Sequence, residues 1–361
     1  MKFIHFSYAH IASFDDPHAW LDRIEFFTGL LERMTAQAEV VAVYNIRFKG
    51  TLERQGVTYL FPGFGKRQLR WPWRFNNYIL SLKPDVVLIQ GFSPWQILML
   101  GRTHPGLKIM VQHRAEKPFK GIKKFLQRRA DKYISWYFFS AADLADDWIK
   151  HRQIQSKKKV VEALGMSSTF KGIQKKISIN TTSVGNLVFL WVGDLDANKN
   201  PVLAVDAFLE FLNRHPSAEL LMIYQGTELE RVLQERVLTS GGQIRLIGKV
   251  PHGDMIKWYN AADFILSTSF YESAGLSVCE GMSCGCVPVV TNIPSFRMMT
   301  DRGRVGMLFE TNDRDSLIAA LEKCALMDRA SAREKVLAYF EEKLSFEANV
   351  HTIMEAANRH L

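Results

Sequence analysis

The sequence predicts an α/β fold of two domains, each a mostly parallel β-sheet with helices on both faces. Short apolar runs alternate with longer amphipathic segments through the first half of the chain, and the same alternation restarts after a polar stretch. Such alternation is typical of parallel sheets, because parallel strands need crossover connections that are usually helical. A chain of 361 residues is long enough for two domains with separate hydrophobic cores.

The first half of the chain carries the pattern of one such domain. The continuous apolar run Val86–Ile89 is typical of a strand buried on both faces. Asp16 and Pro17 predict the start of a helix that continues to about Met34. Another helix is expected over Arg67–Leu82, interrupted near its start by Pro72. The predicted strands are Lys2–Ser7, Glu39–Tyr44, Val57–Phe61, Val86–Ile89, Lys108–Gln112 and Tyr133–Phe139.

The second half repeats the pattern after a stretch rich in Lys, Ser, Thr and Asn. This stretch, Phe170–Asn186, is expected to link the domains. The amphipathic segment Phe346–Leu361 is expected to return to the first domain. The predicted domains are therefore residues 1–172 completed by 345–361, and residues 173–344. The predicted strands of the second domain are Leu187–Val192, Glu219–Tyr224, Ile244–Ile247, Phe264–Ser267 and Val287–Val290, and its helices start near Asn200, Thr227, Gly253, Gly275 and Asp313. Asn200 with Pro201 is expected to cap the first of these helices and Asp313 the last.

The charge of the chain favours an anionic partner without choosing one. The formal net charge is +9 and the isoelectric point is about 9.3. A nucleotide diphosphate, an acidic lipid surface and nucleic acid all fit this charge, and so does a merely solvated basic surface. Nucleic-acid binding is not expected, because no recognition motif accompanies the charge.

Targeting signals and cysteines indicate a cytoplasmic protein. The start, Met1–Phe6, differs from a signal peptide because its apolar stretch is too short and no small-residue cleavage site follows. No run approaches the roughly 20 apolar residues that span a bilayer. Cys279, Cys284, Cys286 and Cys324 include no CxxC pair. They are therefore expected to be buried thiols in a reducing compartment rather than metal ligands.

The strongest functional signal is a pair of glutamates eight positions apart, after the strand Phe264–Ser267. Glu272 and Glu280 flank small residues at the predicted start of a helix. Small residues let a ligand approach the backbone, and helix-start N–H groups attract a phosphate. A carboxylate accepts two hydroxyl hydrogen bonds, as a sugar or ribose diol requires. The alternative is one capping glutamate and one surface glutamate without a ligand.

The order of motifs in the second half resembles that of family-4 GT-B glycosyltransferases. In that family a VGR-x-x-x-x-K segment, a G-x-V loop, an E-x7-E motif and an A-C-G-x-P-V-V strand occur in sequence. The matching segments here are Val192–Pro201, Gly248–His252, the glutamate pair and Met282–Val290. The resemblance is strong over about Leu187–Leu326 and weak in the first half. It implies the GT-B fold, two Rossmann-like domains facing across a cleft, with the C-terminal helix crossing back to the first domain.

The resemblance also implies roles for single residues. Lys199 is expected at the donor diphosphate, Glu272 at the donor sugar and Glu280 at the nucleotide ribose. The backbone of Gly275 would approach the diphosphate, and Val250 would seat the base. The full set of expected donor-binding residues is Gly193, Asp194, Lys199, Val250, Glu272, Ser273, Ala274, Gly275, Leu276 and Glu280.

One histidine in the first domain is the further catalytic candidate beside Lys199 and Glu272. His113 follows the strand Lys108–Gln112, where members of the family often carry a histidine near the sugar and acceptor. It would hydrogen-bond the sugar or guide the acceptor. The alternative is a histidine that merely caps the end of a strand.

Two departures from the family pattern concern the donor phosphates and the acceptor side. The arginine of the family after Val-Gly is Asp194 here, which removes one of two expected cations. The glycine-rich loop after the first strand is absent from Ser7–Ser13. Asp194 and Asp196 imitate the DxD metal motif of other glycosyltransferases, but GT-B enzymes typically need no metal, so neither a metal nor a cofactor is expected.

The resemblance implies a retaining glycosyltransferase of cell-envelope glycan biosynthesis. The donor would be a nucleoside-diphosphate sugar, UDP- or GDP-linked, and the acceptor a glycan, a lipid-linked molecule or a small molecule. The alternative is a catalytically weakened nucleotide-sugar-binding subunit that supports an active partner. Two basic and aromatic stretches, Phe64–Phe75 and Lys117–Arg129, are compatible with peripheral contact at the inner face of an anionic membrane. In the second stretch, Phe119, Ile122, Phe125 and Leu126 are expected to share one helix face. The preferred alternative is a core-packing stripe beside a solvated basic face.

Overall fold

The chain folds into two compact units. A computed structural model of the protein describes residues 1–173 and 186–359. One unit comprises Met1–Ser167 and Phe346–Leu361, and the other comprises Ser168–Ser345. Residues 174–185, which form most of the predicted linker, lie outside the described residues, as do the last two residues of the predicted C-terminal segment.

The first unit is built on an eight-stranded sheet. Its strands are β1 (Lys2–Ile11), β2 (Glu39–Ile46), β3 (Gly50–Arg54), β4 (Val57–Phe61), β5 (Val86–Gln90), β6 (Lys108–Gln112), β7 (Ile134–Phe139) and β8 (Val160–Glu162). Their order across the sheet is β3-β4-β2-β1-β5-β6-β7-β8. Neighbours pair in parallel except β3 and β4. Neither edge strand was predicted, because β3 and β8 have no buried residues and so lack an apolar pattern.

Helices cover both faces of this sheet, as predicted. The helices are α1 (Pro17–Arg23), α2 (Glu25–Met34), α3 (Lys66–Arg70), α4 (Trp73–Ser81), α5 (Pro94–Thr103), α6 (Gly121–Ala130) and α7 (Asp146–Lys150). Two predicted helices are each divided. The first breaks at Ile24, whose φ of −112° is not helical. The second breaks at Pro72, because a proline has no N–H to continue the helical hydrogen bonds.

Successive residues of the central strands point to opposite faces and fill two cores. Phe3 and Leu88 belong to the core under α1 and α2. Ile4 and Val87 belong to the core under α3 to α6. Because both faces are buried, the central strands are apolar throughout. Their continuous apolar runs therefore predict them from the sequence.

The second unit has a six-stranded, wholly parallel sheet. Its strands are β9 (Val188–Asp194), β10 (Glu219–Gln225), β11 (Ile244–Gly248), β12 (Phe264–Ser267), β13 (Val287–Thr291) and β14 (Met307–Phe309), in the order β11-β10-β9-β12-β13-β14. Its helices are α8 (Pro201–Leu212), α9 (Glu230–Val237), α10 (Met255–Ala261), α11 (Leu276–Ser283), α12 (Pro294–Met299), α13 (Arg314–Ala325) and α14 (Arg329–Tyr339). The chain leaves β9 toward β10 on one side, and the later strands add on the other side. This reversal places a topological switch point between β9 and β12.

The last helix, α15 (Phe346–Asn358), completes the first unit, as expected. Phe346 packs on Gly29 of α2, where an added Cβ would lie 2.7 Å from the ring. The guanidinium of Arg33 lies 4.5 Å from the centre of the same ring, and its Nε lies 2.6 Å from a carboxylate oxygen of Glu347. Among the described residues, no helix is both long and apolar enough to cross a bilayer.

A buried histidine makes the stability of the first unit depend on pH. His5 on β1 is buried, its ring centre lies 4.5 Å from that of Phe27, and neither ring nitrogen has a hydrogen-bond partner among the described residues. Burial, with a smaller contribution from the charge of Arg114, lowers the pKa of His5 from 6.5 to about 3. The unfolded chain therefore binds one more proton than the folded chain between these pH values, and stability falls as the pH falls.

We predict that His5→Leu flattens this acid dependence. The free energy of unfolding of the wild type should fall by roughly 1.4 kcal/mol more per pH unit than that of the variant below about pH 6. Urea unfolding at several pH values measures both slopes. His104→Leu is the control, because His104 is exposed and its substitution should leave the slope unchanged. Equal slopes for the wild type and His5→Leu would contradict the prediction.

Candidate active site

The loops after β9 and β12 are joined at the carboxyl edge of the second sheet. The amide of Phe270 donates to the carbonyl of Asn198 at 2.8 Å. The side-chain amide of Asn198 donates in return to the carbonyl of Tyr271 at 3.1 Å. Open α/β sheets bind ligands at the carboxyl ends of strands beside the switch point. These two loops therefore form the expected place for a ligand.

An ion pair connects the two loops. Nζ of Lys199 lies 2.5 Å from Oε1 of Glu272, and the hydroxyl of Ser269 donates to the same oxygen at 2.8 Å. The lysine side chain is 23% exposed and the glutamate side chain 14% exposed. The structure thus brings together the two residues that the sequence placed at the diphosphate and at the sugar. Both side chains remain partly accessible to a ligand.

Hydrogen bonds to the backbone fix the position of this pair. The amide of Lys199 donates to Oδ1 of Asp196 at 2.9 Å. The hydroxyl of Thr268 lies 2.8 Å from the carbonyl of Lys199 and 2.9 Å from that of Asn200. The hydroxyl of Ser295 donates to the carbonyl of Glu272. Sequence reasoning did not find Ser269, Thr268 and Ser295 as parts of the site, because short hydroxyl side chains are common in loops.

The expected capping of α8 by Asn200 is wrong. The φ of Asn200 is 47°, a left-handed conformation, and its side chain makes no cap hydrogen bond to the helix. Its amide donates instead to Oδ1 of Asn312 at 3.2 Å. Asparagine tolerates this conformation better than most residues. The helix still starts at Pro201, as expected. Proline suits a first turn because it has no N–H group that would be left without a partner there.

The start of α11 is a tight turn beside the ion pair. Gly275 precedes the helix with a φ of 61°, and an added Cβ would lie 2.7 Å from the ring of Phe296. The hydroxyl of Ser277 donates to the carbonyl of Val192 at 3.3 Å, which ties the first turn to β9. The first N–H groups of a helix have no partner within it, and the helix dipole favours an anion there.

The second glutamate is buried in α11, and its carboxylate already accepts two hydrogen bonds. Oε2 of Glu280 accepts from the hydroxyl of Tyr259 at 2.8 Å, and Oε1 lies 2.8 Å from Nε2 of His252. Since a carboxylate only accepts, Nε2 carries the proton. Burial, followed by the charge of Glu280, raises the pKa of Tyr259 well above 10, which keeps its hydroxyl a donor. A carboxylate has about four acceptor positions, so capacity for ribose hydroxyls remains.

Neither partner of Glu280 was assigned a role from the sequence. His252 stands in the loop after β11, and its ring centre lies 5.0 Å from that of Phe170. Tyr259 lies on α10 and is buried. The only signal for His252 was its place in the Gly248–His252 segment, and a tyrosine within a helix gives no signal of this kind.

Of the other expected donor residues, Gly193 lies against the ion pair, because an added Cβ there would lie 3.4 Å from the side chain of Lys199. Gly193 and Asp194 end β9, and Asp194 is exposed. Val250 is half-buried and follows Gly248, which has a φ of 80°. Within residues 186–359, no side-chain hydrogen bond or ion pair joins Asp194 or Val250 to Lys199. The structure likewise places Ser273, Ala274 and Leu276 in the turn and first helical residue around Gly275.

His113 lies at the carboxyl edge of the first sheet, among aromatic rings. Its Nε2 lies 2.8 Å from the carbonyl of Glu116, and its ring stacks on Phe139 at 4.6 Å. Since the carbonyl only accepts, Nε2 carries the proton. Burial lowers the pKa of His113, although the carbonyl and carboxylate of Glu116 oppose this shift. The neutral ring keeps Nδ1 as an acceptor.

Glu116 shapes the loops beside this histidine. Its carboxylate accepts from the amides of Phe92 and Arg114, both at 2.9 Å. A buried ring held to the backbone is the arrangement expected of a histidine that caps a strand end. The contacts of His113 therefore fit the structural alternative, while its role toward a sugar or acceptor stays a prediction.

Comparison with known proteins identifies the family. The sequence profile of the family described as glycosyl transferases group 1 matches residues 173–357, more than half of the chain. The chain belongs to this family. The matched range contains Lys199, Glu272 and Glu280, so the glycosyltransferase resemblance drawn from those motifs is confirmed.

Several curated glycosyltransferases are similar over part of their length. A D-inositol 3-phosphate glycosyltransferase of Corynebacterium jeikeium is 31% identical over 146 residues, 38% of this chain and 35% of the relative. The O-antigen chain mannosyltransferase B of Escherichia coli is 34% identical over 136 residues, 36% of this chain and 34% of the relative. A lipopolysaccharide core biosynthesis mannosyltransferase of Rhizobium meliloti is 24% identical over 232 residues. This match covers 63% of the chain and 62% of that relative.

Solved structures establish the fold over almost the whole chain. A glycosyltransferase from Rickettsia africae superimposes with a TM-score of 0.75 at 13% identity, covering 99% of this chain and 97% of the other. The Anabaena protein HepE, solved in complex with UDP, gives 0.70 at 13% identity, with 98% and 99% covered. At such low sequence identity, these matches show the fold alone. The fold is GT-B, with two parallel-sheet domains.

We predict that the turn before α11 tolerates no side chain. Gly275→Ala should lower the free energy of unfolding by roughly 1–3 kcal/mol, because a left-handed alanine is strained and its Cβ meets Phe296. Urea unfolding measures the change. Gly253→Ala is the control: Gly253 is exposed, and an added Cβ there meets nothing within 4 Å. A loss no larger than that of the control would show that the turn is not constrained.

Proposed function

We propose that this glycosyltransferase moves a hexose from a nucleoside-diphosphate sugar, UDP- or GDP-linked, to an acceptor hydroxyl with retention at the anomeric carbon and without a metal. The observation that carries the proposal is the Lys199–Glu272 ion pair, held beside the start of α11 at the switch point of the second sheet. A cation, a carboxylate and helix-start N–H groups are thereby gathered at one edge.

The leaving group would be stabilised electrostatically. When the bond between sugar and phosphate breaks, negative charge develops on the β-phosphate. Lys199 and the first N–H groups of α11 would neutralise that charge as it forms. Lys199 is now paired with Glu272, so a bound diphosphate would compete with the carboxylate for the ammonium group. Because this positive charge is supplied by the protein, no metal is needed in the proposed mechanism.

The two glutamates would hold the two ends of the donor. Glu272, once its lysine turns to the phosphates, would accept from sugar hydroxyls, and Ser269 would keep its carboxylate oriented. Glu280 would accept from the ribose hydroxyls, with Tyr259 and His252 fixing its position. Hydrogen bonds to a charged acceptor are the strong ones, and they orient the donor for reaction.

Transfer with retention would proceed on one face of the sugar. The acceptor hydroxyl would attack from the side that the phosphate leaves and would give its proton to that phosphate. The proposed chemistry names no protein base. His113 remains the candidate for the acceptor side, where its neutral ring would accept or donate one hydrogen bond.

The names of relatives support a role in cell-envelope glycan synthesis. One relative is a mannosyltransferase of the O-antigen chain, and another is a mannosyltransferase of the lipopolysaccharide core. We therefore propose a glycan or lipid-linked acceptor, handled at the cytoplasmic side of a membrane, over a small-molecule acceptor.

The second candidate function is a nucleotide-sugar-binding subunit with weakened catalysis. The observation that favours it is Asp194, an exposed carboxylate where the family has an arginine. A negative charge near the diphosphate would weaken stabilisation of the leaving group. Lys249, also exposed, is the candidate for a compensating positive charge.

We predict that one nucleotide diphosphate raises the thermal stability of the chain. A ligand at about 100 times its Kd adds about 2.7 kcal/mol. Differential scanning fluorimetry with UDP, GDP and ADP would identify the base. Lys199→Ala should abolish the shift, and Glu280→Gln should weaken binding by about 1–3 kcal/mol. Lys323→Ala, at an exposed lysine of α13, is the control. A full response from Lys199→Ala would place the diphosphate elsewhere.

We further predict that the isolated chain turns over its donor equally well with excess EDTA and with Mg²⁺. Release of nucleotide diphosphate from the donor measures the rate, and NMR of the product should report an unchanged anomeric configuration. A rate lost in EDTA contradicts the metal-independent mechanism. Nucleotide binding without turnover in either buffer supports the binding subunit instead.

A further inference from the structure

Four large apolar side chains stand in solvent on α4, on α6 and in the turn between α3 and α4. Trp71 and Trp73 are 53% and 49% exposed, and Ile122 and Phe125 of α6 are 76% and 52% exposed. The rings of Trp71 and Trp73 stack at 6.0 Å, and Trp95 packs against both at 6.2 Å. The tryptophans are therefore an ordered cluster rather than single exposed residues.

The expected single apolar face of the second basic stretch is wrong. Phe119 and Leu126 pack against the core, whereas Ile122 and Phe125 face solvent. A helix with core contacts on one side needs only one apolar stripe. The second pair of apolar side chains on α6 thus has no role in the core of the unit.

The connections between strands place the exposed tryptophans and the exposed pair on α6 on the same face of the sheet and near the same edge. The chain steps in one direction from β4 through β5 and β6 to β7, so right-handed crossovers put α3 to α6 on the same face. The shared core under these helices includes Leu69, Phe75, Ile97 and Ala130. Helices that follow parallel strands begin at the carboxyl edge, where Trp73 and Ile122 stand in the first turns of α4 and α6.

The charge around these residues is of one sign. The segment 64–75 contains four basic residues and the segment 117–129 contains six, and neither contains an acidic residue. On α6 the guanidinium of Arg129 lies 4.5 Å from the centre of the Phe125 ring. Basic residues interleaved with tryptophan and phenylalanine are typical of surfaces that lie in the interface of an anionic bilayer.

A cavity beside α6 adds a place for an anionic headgroup. It has a volume of about 380 Å³ and is lined by Arg128, Ile149, Arg152, Ile154 and Gln155. Arg128 is held there by the carbonyls of Arg152 and His151, both at 3.1 Å. These bonds fix the guanidinium and leave other N–H donors for an anion, since the group has five. Arginine suits phosphate recognition because its donors form a planar fork.

We propose that this face of the first unit docks on an anionic lipid bilayer. Trp71, Trp73, Ile122 and Phe125 enter the interface, and the surrounding lysines and arginines meet the headgroups. The phosphate of one lipid enters the cavity between Arg128 and Arg152. The exposed isoleucine favours a bilayer over nucleic acid, because an aliphatic side chain inserts among acyl chains but cannot stack on a base. The proposal does not depend on the donor chemistry.

Sedimentation with vesicles tests the proposal. The full chain should sediment with phosphatidylcholine vesicles that contain phosphatidylglycerol, should stay in solution with pure phosphatidylcholine, and should dissociate at high salt. Brominated lipids should quench tryptophan fluorescence, and Trp71→Phe/Trp73→Phe should remove most of that quenching. Absence of sedimentation with anionic vesicles at low salt would overturn the proposal.

Matched variants distinguish binding through this face from binding through the net charge or the exposed apolar side chains of the whole chain. Arg128→Gln/Arg152→Gln should weaken binding about 25-fold, at about 5-fold per arginine. Arg231→Gln/Arg304→Gln removes the same charge from the second unit and should change binding less than about 2-fold. Ile122→Ser/Phe125→Ser should also weaken binding, whereas Leu238→Ser/Leu326→Ser, at leucines 81% and 88% exposed, should not.

The remaining outcomes are equally decisive. Equal losses from each variant and its control would show unspecific adsorption and overturn the proposal. Tighter binding to single-stranded RNA than to anionic vesicles would identify the other class of partner and overturn it too. Lys123→Gln/Lys124→Gln replaces two lysines with no described ion pair, so it tests the same surface if loss of Arg128 unfolds the chain.

Discussion

The ion pair between Lys199 and Glu272 is the interaction around which the second unit arranges its site. It closes the gap between two loops that leave neighbouring strands, and it uses a charge from each. Ser269 and the backbone bonds of Thr268 hold it in place. Both side chains are only partly exposed. In the proposed function, a bound diphosphate would compete with Glu272 for the ammonium group of Lys199.

The other carboxylate of the motif is held in a different way. Glu280 is buried and is held by a tyrosine and a histidine rather than by a lysine or an arginine. A buried carboxylate needs hydrogen bonds to offset the loss of water. The two carboxylates of the motif therefore have different partners, because Glu272 contacts a lysine and a serine.

In the first unit, the buried histidine and the exposed apolar side chains lie on opposite faces of one sheet. Under α1 and α2 lies the neutral His5, whose ring centre lies 4.5 Å from that of Phe27 and 5.6 Å from that of Tyr44. On the other face, α3 to α6 bury their inner sides and leave tryptophan, isoleucine and phenylalanine in solvent among basic residues. The family match covers residues 173–357, so the shared motifs lie in the second unit rather than in this one.

The sequence by itself determined the parallel strands, the two-domain fold, the start of α11 and the candidate pair Lys199 and Glu272. These features depend on local periodicity, on turn residues and on motif spacing, all of which are written along the chain. Tertiary structure alone decided the contacts between distant residues. Glu272 meets a lysine 73 positions away, and Glu280 meets His252 across 28. It also decided the edge strand β3, the exposure of Ile122, and the left-handed Asn200, because burial and hydrogen-bond partners depend on which elements the fold makes neighbours.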